Sequence, residues 1–367
     1  MESIIMLKFI DEYRDKGLCA DIVEKIKAIS KKRLKIMEVC GGHTMAIHKN
    51  GIHKLIGDNI KLISGPGCPV CVTSVEDIDM VLALSRIEGL VICTFGDLFN
   101  VPGTGSLTLD KQRAEGADIR IVYSVRDVIT LAKEEREKKF VFISIGFETT
   151  APTAAAAIIQ ADQDGLDNFY ILSLNKTMPR ALKAILEDSR TDIDGLICPG
   201  HVSTIAGTDM YNFIVDKLRI PCCVTGFEPS DILTSIYILT ELAEKNQAKL
   251  VNAYKRAVKA QGNEKALSIM EKVFKPSDVQ WRGLGNIPDS GLALKDEYSR
   301  FDVLNTFKID RPTSISEKDC ICGDILRGAK VPSDCKLFRN ICTPSNPRGA
   351  CMVSSEGSCA AAHRYGD

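Results

Sequence analysis

Apolar strands alternating with helices between residues 34 and 224 are the feature that most limits how this 367-residue chain can fold. Eight short apolar runs have the length and composition of buried strands: 34–39, 60–64, 89–94, 119–124, 140–145, 169–174, 195–198 and 221–224. Segments with a helical hydrophobic period separate most of these runs, a pattern typical of parallel sheets with helices on both faces. The predicted fold class is therefore α/β, with two Rossmann-like parallel-sheet domains.

The composition changes after residue 225, which predicts a different kind of domain there. Helical stripes are expected over residues 231–261 and 264–274 and no further strands, and beyond residue 276 Gly, Pro, Ser and Cys dominate without a period. We expect α/β domain I over residues 1–118, α/β domain II over residues 119–225, and a mostly helical or irregular domain III over residues 226–367. The segment from residue 276 onward would need bound metal or docking to stay folded.

Overall charge and hydropathy exclude several classes of function. A formal net charge of −1 gives no electrostatic basis for binding nucleic acid or an anionic membrane. No apolar run approaches the roughly 18 residues of a spanning helix, and the N-terminus does not resemble a signal peptide, so a cytoplasmic location is expected. Fourteen cysteines in such a chain favour metal or thiol chemistry over a disulfide framework.

Two loops that carry thiols follow neighbouring predicted strands. The first holds Cys40 and His43, and the second holds Cys68 and Cys71 in a Cys-Pro-Val-Cys turn. Loops at the carboxyl ends of adjacent parallel strands share one crevice, so these four side chains are expected to face one another. The Cys-x-x-Cys spacing suits either a redox dithiol or two ligands of one soft metal.

Three further loops at strand ends carry glycine beside polar side chains, and their candidate functional residues are Glu148, His201 and Glu228. We predict that these three surround the thiol site, where they orient small ligands or place a proton. The simpler alternative is that such loops only cap helices and that His201 is structural. Five other cysteines lie in apolar surroundings and are expected to be buried small hydrophobes: Cys19, Cys93, Cys198, Cys222 and Cys223.

Six cysteines lie in the last 48 residues: Cys320, Cys322, Cys335, Cys342, Cys351 and Cys359. A [4Fe-4S] cluster with a spare thiol pair accounts for this number better than one zinc ion, because the zinc-knuckle spacing is absent. Zinc and purely structural thiols remain the alternatives. The preferred ligands are Cys320, Cys335, Cys342 and Cys351, leaving Cys322 and Cys359 as a redox pair or as alternative ligands.

Several of these motifs together resemble the HypD family of hydrogenase maturation proteins. The resemblance rests on residues 37–44 (Met-Glu-Val-Cys-Gly-Gly-His-Thr), 65–71 (Gly-Pro-Gly-Cys-Pro-Val-Cys), 146–150 (Gly-Phe-Glu-Thr-Thr), 199–203 (Pro-Gly-His-Val-Ser), 342–344 (Cys-Thr-Pro) and 349–354 (Gly-Ala-Cys-Met-Val-Ser). These motifs span nearly the whole chain and stand in the order of the family. One departure is Met45, where the family usually has a second histidine.

The resemblance implies a scaffold that assembles the Fe(CN)2CO moiety of [NiFe]-hydrogenase with the small chaperone HypC and accepts cyanide from HypE. Cys40 would be the main thiolate that holds this iron, shared with a cysteine of HypC. Cys68 and Cys71 would be a neighbouring redox pair or further ligands, and the C-terminal cysteines would hold a [4Fe-4S] cluster. Such a protein is a redox-active assembly factor rather than a conventional turnover enzyme.

Two other functions are compatible with the same cysteines. An iron–sulfur thiol–disulfide reductase would use the cluster to reduce a partner protein, and a structural adaptor would hold metal without a redox response. The scaffold is favoured because a reductase needs only one dithiol beside its cluster, whereas this chain has thiols on two strand ends far from the C-terminal cysteines. The surplus thiols suggest an electron path from the cluster through the spare pair to Cys68 and Cys71.

Overall fold

The computed structural model describes residues 11–189, 191–309 and 313–366. Its strands are β1 Leu34–Glu38, β2 Ile60–Ser64, β3 Leu90–Thr94, β4 Ile119–Ile121, β5 Lys139–Gly146, β6 Phe169–Asn175, β7 Gly195–Cys198, β8 Cys222–Val224, β9 Leu250–Asn252, β10 Phe274–Trp281 and β11 Gly285–Leu294. All eight strands predicted from apolar runs are present. The predicted α/β class with two parallel sheets is confirmed.

Helices follow most strands, as expected for parallel connections. They are α1 Lys16–Ile29, α2 Gly41–Lys49, α3 Ile52–Leu55, α4 Pro69–Val72, α5 Val75–Leu84, α6 Gly96–Phe99, α7 Leu109–Ala114, α8 Val125–Glu134, α9 Ala151–Gln163, α10 Met178–Leu186, α11 Gly200–Ala206, α12 Pro229–Glu244, α13 Glu264–Val273, α14 Val303–Thr306, α15 Cys322–Leu326 and α16 Ser358–Tyr365. Capping fixes several starts: the Ser74 and Ser124 side chains cap α5 and α8, each in a capping box.

The first sheet has five parallel strands in the order β2-β1-β7-β8-β9. Its central strands are buried on both faces, which explains why they read as continuous apolar runs in the sequence. Helices α1 and α12 pack together on one face, with Ile26 and Leu239 in the same core. The carboxyl ends of β1, β2, β7 and β8 therefore lie along one edge.

The second sheet has four parallel strands in the order β4-β3-β5-β6. Its strands come from one stretch of chain inserted between β2 and β7. The strands therefore do not divide between the sheets at residues 118 and 225, as the predicted ranges required: β3 belongs with the second sheet, and β7 and β8 with the first. The alternation of apolar strands and helices along the chain predicts how many strands there are, but it does not predict which strands pair with each other.

The expectation that strands stop after residue 225 is wrong. Helix α12 ends at Glu244, the chain turns at Asn246 with a positive φ of 51°, and β9 then joins the edge of the first sheet. Strands β10 and β11 form an antiparallel hairpin that packs against β6 and α10. The β10 residues between its buried ends, Phe274 and Trp281, are partly or fully exposed, so this strand lacks the continuous apolar run that predicts the parallel strands.

Residues 313–366, here called the tail, contain short helices and turns. Helix α16 packs against α2 of the first sheet, and the 3-10 turn at Ala350–Met352 packs against α4. The tail therefore folds back over the carboxyl edge of the first sheet, and the predicted helical or irregular C-terminal region is confirmed from residue 313 onward. No helix in the described part of the chain has the length and apolar character needed to span a membrane.

Candidate thiol and metal site

Cys40 lies at the carboxyl end of β1, where it is the N-cap residue of α2. The loop after β2 packs directly on it, because Gly41 N donates to Gly67 O at 3.1 Å. A Cβ on Gly67 would lie 2.3 Å from Cys40 N, so only glycine permits this approach. The loop that carries Cys68 and Cys71 is thereby held against Cys40, as the sequence predicts.

The Cys40 thiol is buried and protonated when it binds nothing. Burial, followed by the neighbouring charge of Glu356, raises its pKa to about 12. A soft metal that binds this sulfur must displace its proton, so the site favours a cation that forms strong thiolate bonds.

Glu356 is a site residue that sequence reasoning missed. It comes from the tail and packs on the first turn of α2: a Cβ on Gly41 would lie 2.4 Å from Glu356 Cβ. Burial raises the pKa of Glu356, and the charge of Asp97 from the second sheet adds to the effect. One signal existed, since Glu356 is the only charged residue between Arg348 and His363.

Phe227 stacks between two histidines beside Cys40. Its ring centroid lies 4.5 Å from that of His43 and 3.9 Å from that of His201, each at an interplanar angle of 24°. A Cβ on Gly42 would lie 3.0 Å from the Phe227 ring and 3.8 Å from Cys40 Sγ, so ring and sulfur flank the same glycine. His201 therefore lies close to the thiol site, as predicted.

His43 is fully buried and neutral. Its Nε2–H donates to Gly226 O at 2.9 Å, and burial lowers its pKa to about 4. Its Nδ1 atom is buried and finds no hydrogen-bond partner among the described residues. The carbonyl fixes the tautomer, so Nδ1 carries a lone pair that is available to accept a proton or a hydrogen bond.

Glu38 supports Cys40 from the other side. Its carboxylate accepts hydrogen bonds from Cys40 N at 3.2 Å and from Thr44 Oγ1 at 2.5 Å. Burial raises the pKa of Glu38 to about 8. The loop of Cys40 is therefore tied to a buried carboxyl that the sequence analysis did not single out.

A cleft of roughly 660 Å³ opens beside this group. Met45, His201, Phe227, Glu228 and Glu356 are among its lining residues. Glu228 accepts two hydrogen bonds from the Arg14 guanidinium, at 2.5 and 2.8 Å, and so forms an ion pair at the rim. Glu228 thus lies at the predicted site, and the departure at Met45 places an apolar side chain in the cleft wall.

Glu148 comes from the second sheet, unlike the other predicted site residues. It follows β5 of the second sheet, is buried, and accepts a hydrogen bond from Met178 N at 2.9 Å. Burial raises its pKa to about 7, and its second oxygen has no partner among the described residues. It is absent from the described lining of the cleft beside Cys40.

The turn that carries Cys68 and Cys71, here called the dithiol turn, lies next to the cysteines of the tail. Cys71 N donates to Cys68 Sγ at 3.3 Å, the Cys71 thiol donates to Ala350 O at 4.0 Å, and this thiol lies within interaction range of the thiols of Cys351 and Cys68. Cys351 in turn lies within interaction range of Cys322, and Cys322 within that of Cys320. Five sulfurs thus form a continuous series, here called the thiol series: Cys68, Cys71, Cys351, Cys322 and Cys320.

All six tail cysteines line one small cavity, here called the cysteine pocket. Cys359 lies within electrostatic range of Cys320, Cys342, Cys322 and Cys335. Of these, Cys320, Cys335 and Cys342 pack with Cys359 around Leu337 and Met352. Cys351 is the most deeply buried of the six, and it interacts with both Cys322 and Cys71. The structure thereby groups Cys359 with the outer cysteines and Cys351 with the dithiol turn.

The donor chemistry of the cysteine pocket suits an iron–sulfur cluster. Its lining contains thiols and apolar side chains without a carboxylate among the described residues, and thiolates are the usual ligands of such clusters. Within the described ranges, no three ligand side chains converge on one metal-ion position.

The fold and the site define a class of α/β protein in which three groups of thiols meet at the end of one parallel sheet. A statistical model of the HypD family, described as "Hydrogenase formation hypA family", matches residues 17–366. The hydrogenase maturation factor HypD of Rhizobium leguminosarum bv. viciae is 42% identical over 98% of this chain and 96% of its own length.

Two further relatives named hydrogenase maturation factor HypD agree with this match. That of Azotobacter vinelandii is 41% identical over 98% of this chain and 97% of its own length. That of Escherichia coli is 40% identical over 98% of both. The chain therefore belongs to the HypD family of hydrogenase maturation factors.

Proposed function

We propose that this chain is the scaffold on which the Fe(CN)2CO moiety of [NiFe]-hydrogenase is assembled, with the iron carried as cargo on Cys40. HypC is the proposed partner that shares the iron, and HypE is the proposed cyanide donor. Membership of the HypD family supports a role in hydrogenase maturation. A buried thiol with a raised pKa beside an open cleft supports a site that takes up a soft, strongly bound metal.

The observation that carries the proposal is the thiol series. It leads from the cysteine pocket to the turn that packs on Cys40, so electrons and cargo meet at one sheet edge. A scaffold that only held iron would need Cys40 and a few neighbours. A connected dithiol is required when the ligand delivered to the iron must also be reduced.

Cyanide delivery from a thiocyanate carrier requires two electrons. In the proposed step the dithiol of Cys68 and Cys71 becomes a disulfide and releases two electrons and two protons. The carrier thiocyanate takes up both electrons and one proton, its S–C bond breaks, and cyanide leaves with the carbon lone pair. The carrier regains its thiol, and the second proton goes to solvent.

The dithiol is restored by exchange with the next pair in the series. The thiolate of Cys351 attacks Cys71 Sγ, which breaks the Cys68–Cys71 bond, and Cys322 then displaces Cys71 to close a Cys322–Cys351 disulfide. With all thiols reduced, interactions with Cys322 and Cys71 lower the pKa of Cys351 to about 7. Once Cys71 is in the disulfide, Cys322 is the neighbour that still favours the attacking thiolate of Cys351. A bound cluster would supply the electrons that reduce this second disulfide.

Packing in the cysteine pocket supports a revised ligand set for the cluster. We propose Cys320, Cys335, Cys342 and Cys359 as its ligands, because these four surround one apolar pair, Leu337 and Met352. Cys322 and Cys351 are then the redox pair. Relative to the sequence-based preference, Cys351 and Cys359 exchange roles.

The cleft beside Cys40 is the proposed contact surface for HypC. Exposed apolar side chains lie beside it, Leu55 within its lining and Leu18 on α1, two residues from the lining residue Lys16. A partner that shares the iron must bring its own ligand to this cleft. Surrounding the iron with apolar side chains would also keep water from competing for it.

Infrared spectroscopy of protein purified anaerobically together with HypC tests the scaffold. Cyanide and carbonyl stretches are expected from the parent protein and should vanish in Cys40→Ala. Cys198→Ala is the matched control, because Cys198 is also buried and interacts with the neighbouring thiol of Cys222 but lies inside the first sheet. Loss of the stretches in both variants, or retention in both, contradicts the proposed role of Cys40.

The same thiol series favours a second candidate, a thiol–disulfide reductase. A brown protein that has no cyanide or carbonyl stretches with HypC, and that reduces protein disulfides, would support the reductase. A colourless protein containing zinc would support a structural adaptor instead.

A further inference from the structure

Arg282 lies at the turn between β10 and β11, where the hairpin meets the dithiol turn and the cysteine pocket. Its backbone N–H donates to Val72 O at 2.8 Å, and its side-chain Nε donates to Thr73 O at 2.7 Å. Val72 is the last residue of α4, the helix that carries Cys71. Arg282 therefore fixes the end of the dithiol turn through two carbonyl oxygens.

The turn itself is fixed by neighbours on both sides. Trp281 is fully buried, and its Nε1–H donates to Ser290 Oγ at 2.8 Å. Gly283 has a φ of +73° and packs on Gly323, where a Cβ would lie 2.3 Å from Gly323 Cα. The Arg282 side chain is thus held between α4 and the start of α15, which begins at Cys322.

The rest of the guanidinium has no conventional counter-charge. Its Nη2 atom is buried without a hydrogen-bond partner in the described ranges, and no described carboxylate forms an ion pair with it. The side chain lies within electrostatic range of Cys320 and Cys322. Arginine stays protonated in proteins. A buried charge or donor without a partner costs free energy. The guanidinium of Arg282 is therefore suited to an anionic partner on the side where the sulfurs of Cys320 and Cys322 lie.

We propose that Arg282 is a positioning residue with two roles: it docks the dithiol turn onto the tail, and it compensates the negative charge of the sulfurs in the cysteine pocket. The second role rests on the proposed cluster, whereas the first concerns only this chain's own thiols. Each role predicts its own measurable effect. Charge compensation favours the reduced cluster, because the added electron meets a nearby cation. Docking favours the contact between Cys71 and Cys351.

Three variants separate these roles. Arg282→Gln removes the charge and the fork of donors, and Arg282→Lys keeps the charge but loses the planar fork. Arg327→Gln is the control, because Arg327 ends α15 in the same segment but faces Asp188 at 3.9 Å. Cluster content and circular dichroism confirm that each variant is folded.

The first measurement is the midpoint potential of the cluster in full-length protein, titrated anaerobically and followed by electron paramagnetic resonance. Arg282→Gln should lower the equilibrium constant for reduction about tenfold, which is about 59 mV for one electron. Arg282→Lys and Arg327→Gln should stay within threefold of the parent. A potential in Arg282→Gln equal to that of Arg327→Gln overturns the charge role.

The second measurement is the yield of the Cys71–Cys351 disulfide after brief treatment with diamide, which accepts two electrons and two protons from the two thiols. Alkylation and peptide mass spectrometry quantify it, on cluster-free protein if the parent binds no cluster. The yield should fall at least threefold in Arg282→Gln and at least twofold in Arg282→Lys, and not in Arg327→Gln. An unchanged yield in Arg282→Lys overturns docking even if Arg282→Gln does not fold.

A parent protein without a cluster would contradict the proposed function and the charge role together. The disulfide yields would still decide the docking role in that case. The failure of the proposed function and the failure of docking are therefore distinguishable.

Discussion

The tripeptide Gly-Phe-Glu occurs twice, as residues 146–148 after β5 and as residues 226–228 after β8, and the two copies lie in different surroundings. Phe147 is buried and stacks on Trp281 of the hairpin, with centroids 6.0 Å apart. Phe227 is half-buried and stacks between His43 and His201 beside the thiol site. The first ring is part of a core, whereas the second forms a wall of the cleft.

The glutamates of the two copies differ in the same way. Glu148 is enclosed, with one oxygen bonded to Met178 N and a raised pKa caused by burial. Glu228 is partly exposed and paired with the Arg14 guanidinium at the rim of the cleft. Each copy follows a strand of a parallel sheet, so the local geometry is similar, and residues distant in sequence decide the role.

The first prediction separates the two rings. Phe147→Ala should lower the free energy of unfolding by about 3–5 kcal/mol, because it removes a buried ring from the core. Phe227→Ala should cost at most about 2 kcal/mol, since its ring is half-buried, but it should lower hydrogenase maturation more than tenfold by releasing both histidines. Urea unfolding and in vivo complementation measure the two effects.

The prediction is wrong if, in both Phe147→Ala and Phe227→Ala, the loss of hydrogenase maturation is proportional to the loss of unfolding free energy. Phe227→Leu serves as a second check, because it keeps an apolar side chain of similar volume but removes the aromatic stack. Maturation should remain impaired in that variant while its unfolding free energy stays within about 1.5 kcal/mol of the parent.

The second prediction concerns the pH dependence that Glu148 confers. Its folded pKa is about 7 because of burial, against an ordinary value of 4.5. The folded state therefore retains a proton that the unfolded state releases, so this stabilising contribution is complete below pH 4.5 and is lost as pH rises to about 7. Glu148→Gln should be more stable than the parent by roughly 2–3 kcal/mol at pH 8 and similar to it at pH 4.5.

Glu228→Gln is the matched control in the other copy. Removing one member of an ion pair at the rim should change the unfolding free energy by at most about 1 kcal/mol. Thermal unfolding of both variants at pH 4.5 and pH 8 makes the comparison. Equal pH profiles for Glu148→Gln and the parent would contradict the burial of an ionisable carboxyl at residue 148.

Sequence reasoning located the strand ends well, because a buried strand leaves a continuous apolar run and its loop must start where the run stops. Cys40, Cys68, Cys71 and His201 were therefore placed correctly on one sheet edge. Glu148 was placed with them because its loop has the same composition. The sheet that a strand joins is decided by the strands with which it forms hydrogen bonds. The apolar run of one strand does not show which strands these are.

Tail residues were harder to predict because they have no local period. The number of cysteines indicated a cluster, but their partners depend on how the tail folds over the first sheet. Cys351 contacts Cys71, which is 280 residues away in sequence, and Glu356 contacts Gly41 across a similar separation. The hairpin that carries Arg282 was read as irregular because β10 lacks a continuous apolar run.

The third prediction compares the helix starts of the two sheets, where a glycine follows a strand end in each. Gly41 begins α2 beside Cys40, and a Cβ there would lie 2.4 Å from Glu356 Cβ and 2.7 Å from its carbonyl oxygen. Gly96 begins α6 after β3, and its nearest contact would be Ile121 Cγ2 at 3.8 Å. The same substitution therefore meets backbone at one site and open space at the other.

Gly41→Ala should cost about 1–3 kcal/mol, because Glu356 and the tail around it must move away from the first turn of α2. Gly96→Ala should change the unfolding free energy by less than about 1 kcal/mol, and in the stabilising direction, because alanine favours the helix and restricts the unfolded chain. Limited proteolysis of the tail gives the readout specific to position 41, with faster cleavage expected in Gly41→Ala than in Gly96→Ala. If Gly41→Ala and Gly96→Ala had equal cleavage rates and equal free energies of unfolding, the prediction would be wrong. The contact between Glu356 and the start of α2 would then contribute nothing measurable to stability.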